Sequence, residues 1–578
     1  MTLSTSTVRN TAESPPRMNR ELFGLFGSKA ELASHCSLSE FDAVVAGSSV
    51  AVGIRDDTMD LPARSSVHEG SDGHCVILGE AWMDRSRPES AAEQLYQRFV
   101  TEGSEAFEGI YGSYLVVLEH DDDVWIVPDL IRSWECFYTD DSGERVFGTD
   151  AARVARTIDR PTLNERAANE LFHFGVVFGT GTLLAELHRQ PFDRALDAET
   201  SRDLERFVYR TASSDRDYAA DLAERLEAVV GERIDYPDPK GALTSAGYDS
   251  RFLLATIPDL DTCYTLGHPT TPEIETARDV ATQYGHDHER LPVTPDYLDP
   301  SPSIVQYTNG IRESLHIHHR GNESALDVVT MYHGLLLDTV LRDFYLPGRE
   351  IDLFGHPLPL PGLESDPDFY QFYRDRLDVY RNGGQLLGKA DDLPESTIEE
   401  FGERTVSSAI ERCRPRTDSV YNAMAMLGVK LTPALPFRTH LADNFVESLF
   451  ATDPRLVEWH LTTPPEHRNS RTFQRAIEHV DGEIFRHRPP DRPYTSYTLN
   501  QISGFLRRNV PGVRSPGTAW PDRKRIYNDN DMDARLFPDS EWVHDHPPRV
   551  KLRINDALTW LDLATDRTYT PDDILRRT

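Results

Sequence analysis

Residues 241–251 read Gly241-Ala242-Leu243-Thr244-Ser245-Ala246-Gly247-Tyr248-Asp249-Ser250-Arg251, and this stretch decides the fold. A short apolar run passes into small and hydroxylated residues and then directly into a helix that we predict to start near Phe252. At such a junction the first helical turn leaves backbone N–H groups unpaired, and they point outward with the positive end of the helix dipole. The junction can therefore hold an anion.

Individual side chains in this stretch fit a bound phosphate. Ser245 and Ser250 add hydroxyl donors, and Gly247 allows the backbone to approach a phosphate closely. Asp249 would repel an anion by itself, but a carboxylate here becomes a ligand when Mg²⁺ bridges the phosphates. The spacing alone leaves an alternative, a structural strand–turn–helix joint in which the serines and the aspartate only cap the helix.

The segments around this stretch alternate between helix and strand patterns. Residues 217–234 carry apolar residues at helical spacing, 261–268 form a second short strand pattern, and 272–285 form a second helix pattern. This order predicts an α/β unit with a parallel sheet. Mostly helical patterns with Pro-rich joints continue to about residue 500, so we predict one domain over residues 206–500.

A different, β-rich domain is predicted before it, over residues 21–205. Short β-type runs alternate with turn signals up to about residue 160, and the acidic cluster 121–123 fits the turn of an antiparallel hairpin. A helical stretch over residues 165–174 follows.

Two further segments lie outside these domains. Residues 1–20 lack the apolar core of a signal peptide, and we predict a disordered leader. Residues 501–578 are rich in Pro, Arg and Asp, and we predict a loosely packed C-terminal extension.

Charge and composition exclude some classes of function. The 578 residues contain 95 Asp and Glu against 61 Lys and Arg, a formal net charge of −34, and only six of the basic residues are Lys. Such a surface stays hydrated in concentrated salt, where its self-repulsion is screened, so we predict a protein of an extreme halophile. The same charge repels phosphate backbones, which predicts no nucleic-acid partner. No apolar run approaches the ~18 residues of a membrane span, which predicts no membrane partner.

Cysteine and histidine patterns give little sign of a metal site. The five cysteines are widely spaced without a Cys-x-x-Cys pair, which predicts a reducing, cytoplasmic environment and no structural zinc. His316, His318 and His319 could ligate a metal, but adjacent side chains point in different directions and no carboxylate is spaced with them. A solvated loop or the lining of a substrate cleft is the favoured interpretation.

The Ser-Ala-Gly-Tyr-Asp-Ser run at 245–250 resembles the pyrophosphate-binding SGGxDS loop of the asparagine synthetase family, with Ala246 at the position of the first glycine. Further segments resemble other motifs of the family in order, at residues 264–267, 277–288, 333–338 and 435–440. The resemblance implies an α/β fold in which the second domain is a Rossmann-like adenine nucleotide α-hydrolase of the PP-loop ATP pyrophosphatase type. It also implies ATP and Mg²⁺ as cofactors.

The same resemblance implies roles for single residues. As catalytic residues it implies Asp249, Asp338 and Arg471, of which the two aspartates would also be metal ligands. Arg471 would replace a lysine that clamps the phosphates of the transition state, with a surface helix arginine as the alternative. Nucleotide contacts are implied for Thr244, Ser245, Gly247, Ser250, Leu266, His333 and Gly334.

Two residues depart from the family pattern in its acceptor segment. Leu335 stands where many members carry an acidic residue that helps to deprotonate ammonia, and Thr339 replaces the glutamate after the aspartate. We therefore expect an altered acceptor or nitrogen donor.

The first domain resembles the class II glutamine amidotransferases at residues 23–27, 78–80, 129, 137–138 and 147–150. This implies an Ntn-type αββα sandwich, an α+β domain. Phe23 stands at the position of the N-terminal cysteine nucleophile, and Leu78 replaces the asparagine of the oxyanion hole. We therefore predict that glutamine hydrolysis is lost. Exposure of Thr2 by removal of Met1 is a minor alternative.

The resulting functional hypothesis is an ATP-dependent amide-forming ligase of asparagine synthetase type. Its partners would be a small-molecule carboxylate and ammonia or an amine, with asparagine from aspartate as the default product and a homodimer as a possible assembly. The alternatives are amidation of another carboxylate, such as a surface-glycan uronate or a secondary metabolite, and a non-catalytic nucleotide-binding relative.

Overall fold

Alternating apolar residues build two antiparallel sheets in the first domain. The computed structural model describes residues 16–141, 143–212, 215–342, 344–353, 355–510 and 521–577. The strands of this domain are β1 (Glu21–Leu25), β2 (Ala43–Ala46), β3 (Ala51–Arg55), β4 (Ser66–Glu69), β5 (Gly73–Trp82), β6 (Tyr111–His120), β7 (Asp123–Pro128), β8 (Phe137–Thr139), β9 (Val146–Gly148), β10 (His188–Arg189), β11 (Arg194–Leu196) and β12 (Ser201–Asp203). Its helices are α1 (Lys29–His35), α2 (Ala91–Glu102), α3 (Ala151–Ala155) and α4 (Glu165–Phe174).

The sheets and helices of this domain form four layers. One sheet has the order β10-β8-β9-β1-β3-β2 and the other β12-β11-β7-β6-β5-β4. Apolar side chains such as Val52 and Leu115 fill the space between the sheets. Leu95 on α2 packs on the outer face of the second sheet, and Leu171 on α4 packs on the outer face of the first. The predicted αββα sandwich is confirmed.

The second domain contains a parallel sheet. Its strands are β13 (Lys240–Leu243), β14 (Thr262–Leu266), β15 (Asp287–Leu291), β16 (Thr330–Tyr332), a hairpin of β17 (Gly348–Leu353) and β18 (His356–Leu363), and β19 (Val446–Glu447). The parallel strands have the order β15-β14-β13-β16-β19. The predicted α/β class with a parallel sheet is confirmed.

Helices surround this sheet and continue to the end of the chain. They are α5 (Tyr218–Gly231), α6 (Tyr248–Thr256), α7 (Pro272–Tyr284), α8 (Pro302–Val305), α9 (Leu337–Leu341), α10 (Phe369–Arg376), α11 (Ile398–Glu411), α12 (Val420–Leu431), α13 (Leu435–Asn444), α14 (Pro454–Thr462), α15 (Ser470–Val480), α16 (Tyr497–Asn509), α17 (Arg523–Asp529), α18 (Met532–Leu536), α19 (Pro548–Ala564) and α20 (Pro571–Ile574). Among the described residues, no helix is both long and apolar enough to cross a membrane.

The strand order creates a switch point next to β13. The chain builds the sheet outward from β13 to β14 and β15, and then returns to place β16 on the other side of β13. In open α/β sheets, ligands bind at the carboxyl ends of the strands at such a point. The loops that follow β13 and β16 therefore lie side by side at the edge where a ligand is expected.

The C-terminal extension is packed, so the prediction of a loose segment is wrong for the described residues 521–577. Trp560 of α19 is fully buried and packs with apolar residues of α3 and α4. Arg553 of α19 is also fully buried and forms an ion pair with Glu313 at 2.9 Å. The helix therefore joins the two domains.

The predicted leader also needs correction at its end. Residues 1–15, with Thr2, lie outside the described residues, but Arg20 is buried and its N–H donates to Asp443 of the second domain at 2.7 Å. Its guanidinium donates to the backbone carbonyls of Ala442 and Phe445. Residues 16–20 are therefore part of the contact between the domains.

Candidate nucleotide-binding cavity

A cavity of about 1240 Å³ lies at the carboxyl ends of β13, β14 and β16. All but one of the site residues named from the sequence line it, and these are Thr244, Ser245, Gly247, Asp249, Ser250, Leu266, His333, Gly334 and Asp338. The structure places these residues in one cavity, and their roles in binding and catalysis stay predictions.

The loop after β13 is held by its own hydrogen bonds. Helix α6 starts at Tyr248, earlier than predicted, so that Asp249 and Ser250 lie in its first turn. The Ser250 hydroxyl accepts from the Ser245 N–H at 3.1 Å and donates to the Ser245 carbonyl at 2.8 Å. The Gly247 N–H donates to the Ser245 hydroxyl at 3.1 Å. These N–H groups therefore have protein acceptors, where the sequence predicts free donors.

An acidic side chain completes this set of acceptors. The Ala246 N–H donates to Glu273 Oε1 on α7 at 2.6 Å, and Glu273 lines the cavity. Burial raises the pKa of the Glu273 carboxyl, while the hydrogen bond from Ala246 acts against this rise. A carboxylate here takes a position that suits a phosphate oxygen. Sequence reasoning missed Glu273, because acidic residues in the first turn of a helix are common for electrostatic reasons alone.

Asp249 is held at the base of the cavity by an arginine and by the turn after β16. Its Oδ2 accepts from Arg342 at 2.7 Å, whereas its Oδ1 is buried without a hydrogen-bond partner among the described residues. A Cβ atom at Gly334 would lie only 2.6 Å from the Asp249 Cβ, so the turn after β16 packs directly against this aspartate. Burial, opposed by Arg342 and reinforced by Asp338, raises the pKa of Asp249 to about 6.

The two aspartates fit a magnesium ion. The unpartnered Oδ1 of Asp249 supplies a buried oxygen ligand, and Asp338 supplies a second carboxylate in the same cavity. The described residues contain no cluster of three or more metal-ligating side chains. Mg²⁺ binds proteins through one or two carboxylates and keeps water or phosphate oxygens as its other ligands, so two carboxylates suffice.

The turn after β16 is held from behind by a buried hydrogen bond between His333 and Glu447. His333 Nε2 donates to Glu447 Oε1 at 2.8 Å, and His333 Nδ1 accepts from the Leu335 N–H at 3.3 Å. Burial raises the pKa of Glu447, but Arg438 and His333 outweigh this and lower it to about 2. Leu336 has a φ of 64°, a left-handed conformation that is strained for leucine. Strained backbone clusters at functional sites, and this strained residue lies close to Asp338 in the chain.

Other parts of the cavity wall have distinct chemistry. Leu243, Leu266, Leu291 and Phe437 form an apolar region. Leu335 and Thr339, which replace acidic residues of the family pattern, both line the cavity, and the Thr339 hydroxyl donates to Asp338 at 3.3 Å. His316, His318 and His319 line it as well, as the substrate-cleft interpretation predicts.

Arg471 is the exception: the structure places it outside the cavity, and its catalytic role stays a prediction. It is exposed in the first turn of α15 and does not line the cavity, because α15 turns Phe473 and Ile477 into the protein. Arg492 lines the cavity instead, with its guanidinium carbon 4.9 Å from the centre of the Tyr248 ring. The sequence signal for Arg492 is its place in an arginine-rich turn, two residues after the Pro489-Pro490 pair.

In the first domain, buried apolar side chains stand at the two positions expected for a glutaminase nucleophile and oxyanion hole. Phe23 lies within β1, is 1% exposed and offers no nucleophilic atom. Leu78 is fully buried within β5. A void of about 10 Å³ beside Gly79 and Glu80, at the contact with the second domain, has room for about one water molecule.

Together, the sandwich and the parallel sheet define a two-domain α/β protein with a cavity at the switch point of its second sheet. No protein-family model matches this chain, and no curated protein matches it. Similar solved structures include the glutamine phosphoribosylpyrophosphate amidotransferase from B. subtilis complexed with ADP and GMP, at 9% identity and a TM-score of 0.21, with 47% of this chain and 60% of that chain covered. Another is a structure of the allosteric regulatory enzyme of purine biosynthesis, at 9% identity and a TM-score of 0.22, with 47% and 64% covered.

The matched part spans less than two thirds of either of these two proteins. A likeness at such TM-scores carries no information about activity. The function of this chain therefore has to be inferred from its cavity.

Proposed function

We propose that the protein is an ATP-dependent ligase that adenylates a carboxylic acid, releases pyrophosphate and forms an amide with ammonia or an amine. The observation that carries the proposal is the position of Asp249 and Asp338 together at the switch point, beside the serine-rich loop after β13. The unpartnered oxygen of Asp249 supports a magnesium site of the kind that ATP pyrophosphatases of the PP-loop type require.

Each part of the cavity has a task in this reaction. The loop from Thr244 to Ser250 would hold the phosphates, and the apolar region around Leu266 would hold the base. Asp249 and Asp338 would bind Mg²⁺, which neutralises phosphate charge when bound. Arg492 would stabilise the charge that develops on the departing pyrophosphate, and such stabilisation supplies much of the acceleration in phosphoryl and nucleotidyl transfer.

Aspartate is the default acceptor, giving asparagine as the product. Two observations favour another carboxylic acid as the second candidate. Leu335 and Thr339 line the cavity where acidic side chains are expected. The cavity, at about 1240 Å³, is also larger than the roughly 300–1,000 Å³ typical of ligand pockets. A larger acid, such as a uronate or a secondary metabolite, is therefore included in the proposal. Because Phe23 cannot hydrolyse glutamine, free ammonia or an amine would be the nitrogen donor.

A non-catalytic nucleotide-binding protein is the candidate from a different class. It is favoured by the carboxylate of Glu273 on the loop and by the guanidinium of Arg342 on Asp249, since both occupy groups that MgATP would need. In the ligase, both contacts have to rearrange when substrate binds.

Pyrophosphate release from MgATP separates these candidates. The wild-type protein and Asp249→Asn are incubated in high salt with ammonium and a panel of carboxylic acids that includes aspartate. Acid-dependent release that Asp249→Asn abolishes supports the ligase, and dependence on aspartate alone supports asparagine formation. Binding of MgATP without release for any acid leaves the non-catalytic protein, and release by Asp249→Asn at the wild-type rate contradicts the mechanism.

A further inference from the structure

Four residues of the cavity wall have no role in the MgATP binding proposed above. We call it the histidine–arginine wall, and it consists of His316, His318, Arg523 and Arg549. The two histidines come from the segment between β15 and β16, and the two arginines come from α17 and α19. Since α17 and α19 lie beyond the region that resembles asparagine synthetases, the wall is a feature of this chain.

The two arginines of the wall differ in how their charge is balanced. Arg549 contacts Asp378 at 2.8 Å and also pairs with Glu313. Among the described residues, Arg523 forms no ion pair within 4 Å, and its buried Nε has no hydrogen-bond partner. In a chain with a net charge of −34, a cationic group that faces a cavity without an acidic partner is unusual.

The position of Arg523 is fixed by packing. It is the first residue of α17, and Tyr527 of the same helix is 1% exposed among Tyr297, Leu298 and Leu315. The Tyr527 hydroxyl donates to Asp533 at 2.8 Å. The helix is therefore anchored, so the backbone of Arg523 does not have to be ordered when a ligand binds, which favours affinity.

The histidines add hydrogen-bonding groups next to this arginine. Burial lowers the pKa values of His316 and His318, and the charge of nearby Arg523 contributes to the lowering of both. Both shifts favour neutral imidazoles. His316 Nε2 lies 3.2 Å from Glu313 Oε1, so this nitrogen already has an acidic partner. The adjacent His319 is also buried in the cavity wall, and its Nδ1 has no hydrogen-bond partner among the described residues.

The geometry points to a subsite in which the histidine–arginine wall binds an anionic group of the acceptor, so that the acceptor is a carboxylic acid with a second anionic group. This inference rests on the proposed ligase function and specifies its substrate class. The second group is a carboxylate or a phosphate, since both match the planar donor fork of arginine. An acid with one carboxylate, such as a simple uronate, would leave Arg523 unpaired in the complex.

Arg523→Gln tests the subsite, with Lys524→Gln as a matched control because Lys524 is the exposed neighbour in the same turn. Pyrophosphate release is measured with acids of similar size that carry one carboxylate, two carboxylates, or a carboxylate and a phosphate. We expect wild-type kcat/KM to favour the dianionic acids by about 10- to 100-fold, the range of a charged hydrogen bond. Arg523→Gln should lose this preference through a higher KM for the acid, with the KM for ATP unchanged, and Arg523→Lys should recover part of it.

Several outcomes overturn the subsite. They are an unchanged preference in Arg523→Gln, an equal loss in Lys524→Gln, or a rise in the KM for ATP that matches the rise for the acid. The relative rates of the dicarboxylate and the phosphorylated acid show which anionic group is preferred. Circular dichroism and thermal melting of both variants identify any loss of folding.

If the ligase function itself is wrong, the wild-type protein releases no pyrophosphate with any acid. Calorimetric binding of the same dianionic acids to the wild type and Arg523→Gln then decides. Tighter binding by the wild type retains the subsite, and equal or absent binding overturns it.

Discussion

The backbone N–H of Ala246 donates a 2.6 Å hydrogen bond to the carboxylate of Glu273, so an acidic side chain of α7 occupies the loop proposed to hold pyrophosphate. A phosphate oxygen that reaches this N–H has to displace the carboxylate, and the two negative charges repel each other. The contact keeps a buried N–H satisfied in the absence of ligand. It therefore lowers the net gain from binding a polyphosphate.

Glu273→Gln is expected to tighten the binding of pyrophosphate. The glutamine amide can still accept the hydrogen bond from Ala246, but it carries no charge to repel the ligand. We expect the Kd for Mg²⁺-pyrophosphate, measured by calorimetry, to fall by about 3- to 10-fold, the range of one hydrogen bond to a charged group. Glu275→Gln, an exposed position two residues further on the same helix, should leave it unchanged. Weaker binding by Glu273→Gln would instead assign Glu273 to the ligand-binding groups.

Magnesium binding is expected to depend on pH through Asp249. Its pKa is raised to about 6 by burial and by Asp338 against the effect of Arg342, so the carboxyl is ionised above this pH and protonated below it. Only the ionised form binds the metal. The Kd for Mg²⁺, measured by calorimetry in the presence of a non-hydrolysable ATP analogue, should rise as the pH falls through about 6, by up to about tenfold per unit.

The pH dependence of magnesium binding also tests whether Asp249 is the ligand that titrates. Asp249→Asn should bind Mg²⁺ weakly and without this pH dependence. The sign for stability is opposite to that of an ordinary aspartate: without metal, ionisation of Asp249 destabilises the fold as the pH rises from about 4 through 6. A wild-type metal affinity that stays constant across about pH 5 to 8 would rule out Asp249 as the ligand.

Gly334→Ala is expected to reduce activity by displacing Asp249. The new methyl group would start 2.6 Å from the Asp249 Cβ, so one of the two backbones has to move. We expect kcat for pyrophosphate release to fall by at least about tenfold, since small displacements of catalytic groups have effects of this size or more. The cost in unfolding free energy should be about 1–3 kcal/mol by denaturant titration. Gly348→Ala is the control, because nothing lies within 4 Å of a Cβ there. Equal kcat in both variants contradicts the contact.

The sequence predicts the two antiparallel sheets of the first domain well, because each strand and turn is signalled by a few neighbouring residues. Apolar runs of strand length and the turn at residues 121–123, where Asp121 and Asp122 have positive φ, each depend on few neighbouring residues. The buried position of helix α19 could not be predicted in this way, because its charged residues Arg553 and Asp556 are themselves buried. They pair with Glu313 and Ser314 far away in the chain, so residues that predict a surface helix lie in the core. Burial of paired charges is visible only in three dimensions.

The candidate site divides along the same line. The loop residues 244–250 follow from one contiguous motif, and Asp338 follows from another. Glu273 and Arg342 make their contacts through space and lie just outside the motif segments at 277–288 and 333–338, so nothing in the sequence singled them out. Arg471 lies outside the cavity because a motif position does not reveal which face of α15 turns outward.

Arg492→Gln and Arg471→Gln form a matched pair that tests which of the two arginines acts on the phosphates. Arg492 lines the cavity and its charge opposes the rise in the pKa of Asp249, so it is close enough to stabilise charge on the phosphates. We expect Arg492→Gln to lower kcat for pyrophosphate release by about 10²- to 10³-fold, as removal of a preorganised donor does. Arg471→Gln should stay within about twofold, because substitutions of exposed side chains away from such features have small effects. Loss of activity in Arg471→Gln with normal melting, together with an active Arg492→Gln, would restore the role read from the sequence and require α15 to approach the nucleotide when it binds.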